Sequence, residues 1–228
     1  MKKYKHLIFD LDNTLLDFDD AELQAFKRVF KEYEIPETHD SFALYKRING
    51  KLWSDLENGI ITRDEIFTNR FALFFNEYGL HVNGKKAEDL YRRFLNDGCK
   101  TIKNAEILLN KLKKKEYKIY AGTNGMGITQ RKRLANSNLL AYFDDLFISE
   151  EIGFEKPDTN FFDSIFHTLN IKDRDSFLMI GDSLSSDILG AQNAHIDSVF
   201  FSPVRNKNLS NATYTVTELL QIYFLLEE

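Results

Sequence analysis

The chain has 228 residues, enough for one large domain or for a domain carrying an insertion. Its formal charge of −5 argues against an electrostatic nucleic-acid binder but leaves room for a small phosphorylated ligand held by local cations. Cys99 is the single cysteine, so no internal disulfide can form, and no apolar run is long enough for a signal peptide or a membrane span; the expectation is a cytoplasmic protein with neither membrane nor nucleic-acid partners.

His6-Leu7-Ile8-Phe9 reads as a short buried strand, and the chain then turns polar with Asp10-Leu11-Asp12-Asn13-Thr14-Leu15. Two carboxylates, two residues apart, leave the tip of that strand together. The next stretch, about 17 to 100, offers no convincing strand. It carries apolar and aromatic residues at spacings of three and four: Leu23, Phe26, Val29 and Phe30, then Phe67, Phe71, Phe74 and Phe75, then Tyr91, Phe94 and Leu95. That period predicts helices, and the length is too great for a crossover between neighbouring strands. Residues 17–100 are therefore expected to be an inserted helical cap, with 1–16 and 101–228 as the main domain.

Beyond the insertion, short runs rich in β-branched and aromatic residues at 118–121, 145–148, 177–180 and 198–201 predict strands buried on both faces. Helical patterns at 104–115, 128–140, 160–169 and 184–194 alternate with them, and 216–226 reads as a final helix capped by Thr217. Strand–helix alternation of this kind predicts a doubly wound α/β fold around a parallel sheet with right-handed crossovers. In such a sheet the ligand crevice lies beyond the carboxyl ends of the strands. Asp10, Thr123 and Asp182 each close a strand there, Lys156 follows the strand at 145–148 after a loop, and Asp187 comes five residues after Asp182. A carboxylate nucleophile, a hydroxyl, a lysine and a second acidic cluster form a kit for moving a phosphoryl group with a divalent metal. A lone Asp-x-Asp usually marks a solvated turn; the joint pattern over four strand ends carries the argument.

With those residues in view, the chain resembles the haloacid dehalogenase superfamily. Phe9-Asp10-Leu11-Asp12-Asn13-Thr14-Leu15 is similar to its first motif and Gly122-Thr123-Asn124-Gly125 to its second. Lys156-Pro157 is similar to the third, and the segment from Gly181 to Asp187 to the fourth. Leu52-Trp53, Asn58-Gly59-Ile60-Ile61-Thr62, Ile148 to Gly153 and Ser186 to Gly190 resemble the pyrimidine 5′-nucleotidases within it. The resemblance implies Asp10 as nucleophile and Asp12 as general acid and base. Mg²⁺ would be held by Asp10, the backbone carbonyl of Asp12 and Asp182. Thr123, the amides near Asn124, and Lys156 would bind the phosphoryl group, with Asp187 behind them orienting Lys156 or a metal-bound water. It also implies that Trp53 of the cap contacts a nucleotide substrate.

The implied activity is hydrolysis of pyrimidine nucleoside 5′-monophosphates. Sugar phosphates or other metabolite phosphates are the enzymatic alternative. A signalling receiver also uses Mg²⁺ and an aspartyl-phosphate, but receivers lack a cap and carry the phosphoacceptor on a later strand. A binding protein retired from catalysis fits poorly with an intact acid, hydroxyl and lysine set. Other residues have plainer readings. Thr14 and Ser183 suit loop hydrogen bonding, Phe18 packing, Glu150-Glu151 capping or solvation, Lys113-Lys114-Lys115 a solvated helix face, and Cys99 a structural place. Asn83-Gly84-Lys85 lacks the preceding glycine of a phosphate loop and reads as a turn. The five histidines show no metal-ligand spacing. His195 stands at a helix end where a left-handed backbone would favour glycine.

Overall fold

In a computed structural model the chain is described over residues 3–35, 39–203 and 211–227; Met1, Lys2 and Glu228 lie outside that description. It divides into two compact units, Met1–Phe18 with Cys99–Glu228, and Asp19–Gly98. The first is built on a six-stranded sheet comprising β1 (His6–Phe9), β2 (Lys118–Thr123), β3 (Asp145–Ile148), β4 (Phe177–Gly181), β5 (Asp197–Phe201) and β6 (Tyr214–Val216). The spatial order is β3-β2-β1-β4-β5-β6 and every pairing is parallel.

Alternation along β1 sends its side chains to opposite faces. Leu7 and Phe9 join Ile119, Ala121, Leu178, Ile180 and Val199 in one buried layer, with Leu108, Leu109 and Leu112 of a covering helix. Ile8 joins Tyr120, Met179, Phe161, Phe162 and Ile165 in the other. Both faces are covered, which is why β1, β2, β4 and β5 carry continuous apolar runs.

The sequence places the first five strands, although β2 and β4 run on to Thr123 and Gly181. It misses β6, a three-residue edge strand, too short to show a period. The described chain carries ten α-helices: α1 (Phe18–Glu32), α2 (His39–Glu57), α3 (Arg63–Asn76), α4 (Gly84–Leu95), α5 (Ala105–Lys114), α6 (Gly127–Asn136), α7 (Ser149–Ile152), α8 (Thr159–Leu169), α9 (Leu189–Asn193) and α10 (Leu219–Glu227). The segment expected as one helix over 128–140 is two pieces, because Asn138 takes a positive φ of 60° before a short 3₁₀ turn at Leu140–Tyr142. The segment at 184–194 begins as a π-helical turn, Leu184–Ile188, before α9. At α10 the side chain of Gln221 accepts from the backbone N–H groups of Thr217 and Glu218 at 2.8 and 3.0 Å, and the Thr217 hydroxyl donates to it at 3.4 Å, so the capping group is Gln221 and not Thr217.

The second unit holds α2, α3, α4 and α1 from Asp19 onward. Its core is aromatic: Phe26 lies 4.3 Å from Phe30 and 4.8 Å from Tyr45, and Phe71 lies 5.2 Å from Tyr91, by ring centroids. A buried polar chain threads that core. Arg70 donates through Nε and Nη2 to both oxygens of Glu88, at 2.6 and 2.7 Å, and through Nη1 to Asn49, which donates to Glu22. The Asn83 side chain accepts from Lys86 N, so the segment read as a turn is the cap of α4. No helix among the described residues is long and apolar enough to cross a membrane. Cys99 is exposed, not packed into the core as a structural place suggests.

His195 takes the left-handed backbone its position foreshadows, with φ of 56° and an exposed side chain. A side chain there gains no packing and carries the steric cost of that region. His195→Gly should therefore raise unfolding stability by about 1 kcal/mol, seen as a higher denaturant midpoint at unchanged slope; a lower midpoint would show that the imidazole stabilises the fold.

Candidate active site

Apart from Trp53, the residues of the proposed site belong to the first unit, where β2, β1 and β4 lie side by side. Asp10 extends the ladder one residue past β1, its N–H donating to the Ile180 carbonyl at 2.8 Å. The chain then curls: the Leu11 carbonyl accepts from Leu15 N and Leu16 N, and Asn13 takes a φ of 60°. The curl leaves Asp10 and Asp12 on one sheet edge.

Lys156 is the centre of the arrangement. Its side chain is 1% exposed, and Nζ donates to Asp10 Oδ1 at 2.8 Å, Asp187 Oδ1 at 2.6 Å and the Gly122 carbonyl at 2.6 Å. Burial alone would lower its pKa, but the facing carboxylates of Asp10 and Asp187 outweigh burial and raise it, so the ammonium form is held. An ammonium has three N–H donors, and all three are used. Direct donation from Lys156 to a phosphoryl oxygen, expected from the sequence, therefore requires one of these bonds to open. In this arrangement the lysine acts on the site through its charge and through its grip on Asp10.

Asn124 supports the lysine from behind. Its side chain clamps the backbone of Lys156, donating to the Lys156 carbonyl at 2.9 Å and accepting from its N–H at 2.8 Å. The phosphate role expected near Asn124 is left to its main chain. Asp187 is committed on both oxygens, since Oδ2 accepts from Ser183 N at 3.0 Å. Its carboxylate occupies the place a Cβ on Gly181 would take, with Oδ2 only 2.1 Å from that point. Only glycine at 181 lets Asp187 fold back under the strand end.

Asp10, Asp182 and Asp187 each place a carboxylate oxygen within 4.8 Å of the others. Unit charges at that separation repel by roughly 3 kcal/mol per pair at an effective dielectric of about 20. Lys156 supplies a single positive charge against three negative ones. Burial first, and then the neighbouring carboxylates, push Asp10 well above the ordinary range against the pull of Lys156. Burial and the charge of Asp187 push Asp182 up to about 7, although the Thr14 hydroxyl donates to its Oδ1 at 3.2 Å. Hard oxygen donors in charge excess fit a divalent cation such as Mg²⁺. Asp10, Asp182 and the Asp12 carbonyl are the groups that would hold it.

Asp12 sits apart from that cluster. Oδ2 accepts from Gln130 Nε2 at 2.7 Å, and Oδ1 pairs with the fully buried guanidinium of Arg133, which also lies over the Phe18 ring at 5.4 Å. Sequence reasoning overlooked Gln130, Arg133 and the contact of Thr14. A signal existed: Gln130, Arg133 and Leu134 share one face of α6 at spacings of three and four, and two long polar side chains on an apolar face need partners inside. The plainer readings fare well elsewhere. Glu150 accepts from Gly127 N at the start of α6, and Ser183 accepts from Ser186 N. Trp53 lies half-buried on α2 in the other unit.

The haloacid dehalogenase-like hydrolase family profile matches residues 7–201. The chain is 40% identical to YfnB of Bacillus subtilis over 99% of its length and 97% of YfnB. The crystal structure of YfnB, bound to magnesium, superposes with a TM-score of 0.94 over the full length of both chains. Identity is 38% to the pyrimidine 5′-nucleotidase PynA of Streptococcus pneumoniae, over 93% of this chain and 91% of that one. It is 32% to the pyrimidine 5′-nucleotidase YjjG of Escherichia coli, over 98% of each. The chain belongs to the haloacid dehalogenase-like hydrolase family. Within that family it is an enzyme of the phosphoric monoester hydrolase class.

The acidic cluster predicts a pH-linked metal effect. Asp182 binds its proton more tightly folded, at about 7, than at its ordinary value of 3.8, so raising the pH through that window ionises it at the expense of the folded state. A cation bound to the ionised cluster offsets that loss. The rise in melting temperature on adding Mg²⁺ over EDTA should therefore be larger at about pH 8 than at about pH 5. An equal rise at both values would remove the cluster as the binding site.

Proposed function

We propose that the chain is a Mg²⁺-dependent phosphomonoesterase that hydrolyses pyrimidine nucleoside 5′-monophosphates through an aspartyl-phosphate on Asp10. The observation that carries the chemistry is the Lys156 ammonium fixing Asp10 at a strand end beside Asp182, with Asp12 and Thr123 on the same edge. The full-length likeness to two pyrimidine 5′-nucleotidases supports the substrate.

In the proposed reaction a carboxylate oxygen of Asp10 attacks phosphorus, the ester P–O bond breaks, and Asp12 gives its proton to the leaving oxygen. Asp12, now a carboxylate, takes a proton from water as that water attacks the aspartyl-phosphate. Inorganic phosphate leaves and Asp10 is restored. Bound Mg²⁺ would supply charge stabilisation for the phosphoryl oxygens. Thr123 and the main chain near Asn124 bind those oxygens, Lys156 offsets the negative charge around them, and Asp187 holds Lys156 in place. Gln130 and Arg133 hold the Asp12 side chain by its two oxygens. Trp53 is assigned to the nucleobase as an aromatic face. One unpaired cysteine fits a cytoplasmic setting.

Asp10→Asn should abolish turnover while the protein stays folded, because an amide cannot form the acyl-phosphate. Full turnover by that variant, checked free of deamidation, would remove Asp10 as nucleophile. Asp12→Asn should lower kcat by about 10²–10⁴-fold for alkyl phosphates and less for aryl phosphates with good leaving groups. An equal loss for both counts against the acid role.

In a panel of phosphate esters, UMP, dUMP and dTMP should exceed purine monophosphates and sugar phosphates in kcat/KM. Trp53→Ala should raise KM for nucleotides more than for a minimal aryl phosphate, as loss of one stacking contact of about 1–3 kcal/mol would. A lead of about tenfold for hexose or triose phosphates would overturn the nucleotide reading.

A further inference from the structure

The Gln130 side chain donates to both Asp12 and Thr123, and its two amide protons are both placed. A guanidinium can only donate hydrogen bonds, so the amide atom facing Arg133 Nη1 is Oε1 and the atom 2.7 Å from Asp12 Oδ2 is Nε2. The second proton of Nε2 goes to Thr123 Oγ1 at 2.9 Å. Oε1 lies 3.4 Å from Arg133 Nη1. Thr123 Oγ1 also accepts from Gly125 N at 3.0 Å. A hydroxyl has two lone pairs and one proton; both lone pairs of Thr123 are now taken by N–H donors. What remains to the hydroxyl is its proton.

We propose that Gln130 is a positioning residue that turns the Thr123 hydroxyl into an obligate donor to an anionic phosphoryl oxygen and holds the Asp12 carboxylate in register with it. A threonine free of this contact can rotate and present either a proton or a lone pair, and a lone pair facing a phosphoryl oxygen is repulsive. With both lone pairs occupied only the attractive orientation survives, so the ordering cost is met before the ligand arrives. The glycine after Asn124 belongs to the same device. A Cβ on Gly125 would lie 2.2 Å from Gln130 Nε2, so the amide reaches Thr123 only because residue 125 has no side chain. The inference rests on the phosphatase reading of the site and adds to it a residue whose effect is transmitted through two others.

The test uses the whole protein with Mg²⁺ and inorganic phosphate as probe, measured by calorimetry so that turnover is not needed. Wild-type protein that fails to bind phosphate would sink the phosphatase reading itself. Given wild-type binding, Gln130→Met, nearly the same length but without donors, should weaken phosphate affinity by about tenfold, the order of one hydrogen bond to a charged group. In a Thr123→Val background the same replacement should change affinity by less than about twofold, because the hydroxyl it acts on is gone. Gly125→Ala, which displaces the amide while keeping Gln130, should reproduce the affinity loss and serves where Gln130→Met folds poorly. Unchanged phosphate affinity in Gln130→Met and Gly125→Ala, even with a lowered melting temperature, would leave Gln130 a packing residue and overturn the proposal. An equal loss with and without the Thr123 hydroxyl would overturn it too.

Discussion

The acidic edge of the sheet depends on one buried ammonium. Lys156 is out of contact with water, and an ammonium in that position is tolerated only if its charge and all its donors are matched. The matching groups come from three neighbouring strands: Asp10 after β1, the Gly122 carbonyl within β2, and Asp187 beyond β4. Each needs its own support. Asn124 holds the backbone of Lys156 from both sides, Gly181 clears space for Asp187, and Ser183 N fixes the second oxygen of that acid. Taking away the lysine would leave two buried carboxylates facing each other, so the bond network that aims Asp10 also keeps these strand ends together.

This dependence explains which parts of the protein were legible in the sequence. A sheet buried on both faces writes itself as apolar runs, and a strand end in such a sheet is where a polar residue must face the crevice. Asp10, Thr123, Asp182 and the lysine loop could be read from those two facts. The rest lies in three-dimensional pairings that leave no periodic trace. That the Asn124 side chain clamps the main chain of Lys156 could not be read from its place after Thr123. The spacing of Gln130 and Arg133 with Leu134 turns them inward, but it does not say that they reach the acid after β1. Asn138 breaks a helix that the apolar spacing of Leu134 and Leu139 carries through, because a left-handed turn costs asparagine little. β6 has only Tyr214, Thr215 and Val216, and its membership in the sheet is decided by its partner β5.

The helical unit solves the same problem of buried charge with a different outcome. Glu22 and Glu88 are nearly inaccessible, and they face Arg70, Arg92 and Lys46. Anions and cations are there in comparable number, Asn49 bridges the two ends, and every helix of the bundle contributes a member. Such a network closes on itself; its geometry ties the register of four helices whose aromatic contacts alone would tolerate sliding.

The acidic edge of the sheet does not close. Asp10, Asp182 and Asp187 share Lys156, and the nearby guanidinium of Arg133 is engaged by Asp12. Burial first, and then the charge of Asp187, push Asp182 up to about 7. Structural ion networks also shift titrations, so a shifted acid alone would not mark this edge. The difference between the two units is charge balance under similar burial. On the proposed reading, the excess of acids and the proton of Thr123, whose lone pairs are taken by Gly125 N and Gln130 Nε2, are where a cation and a phosphoryl anion would sit side by side.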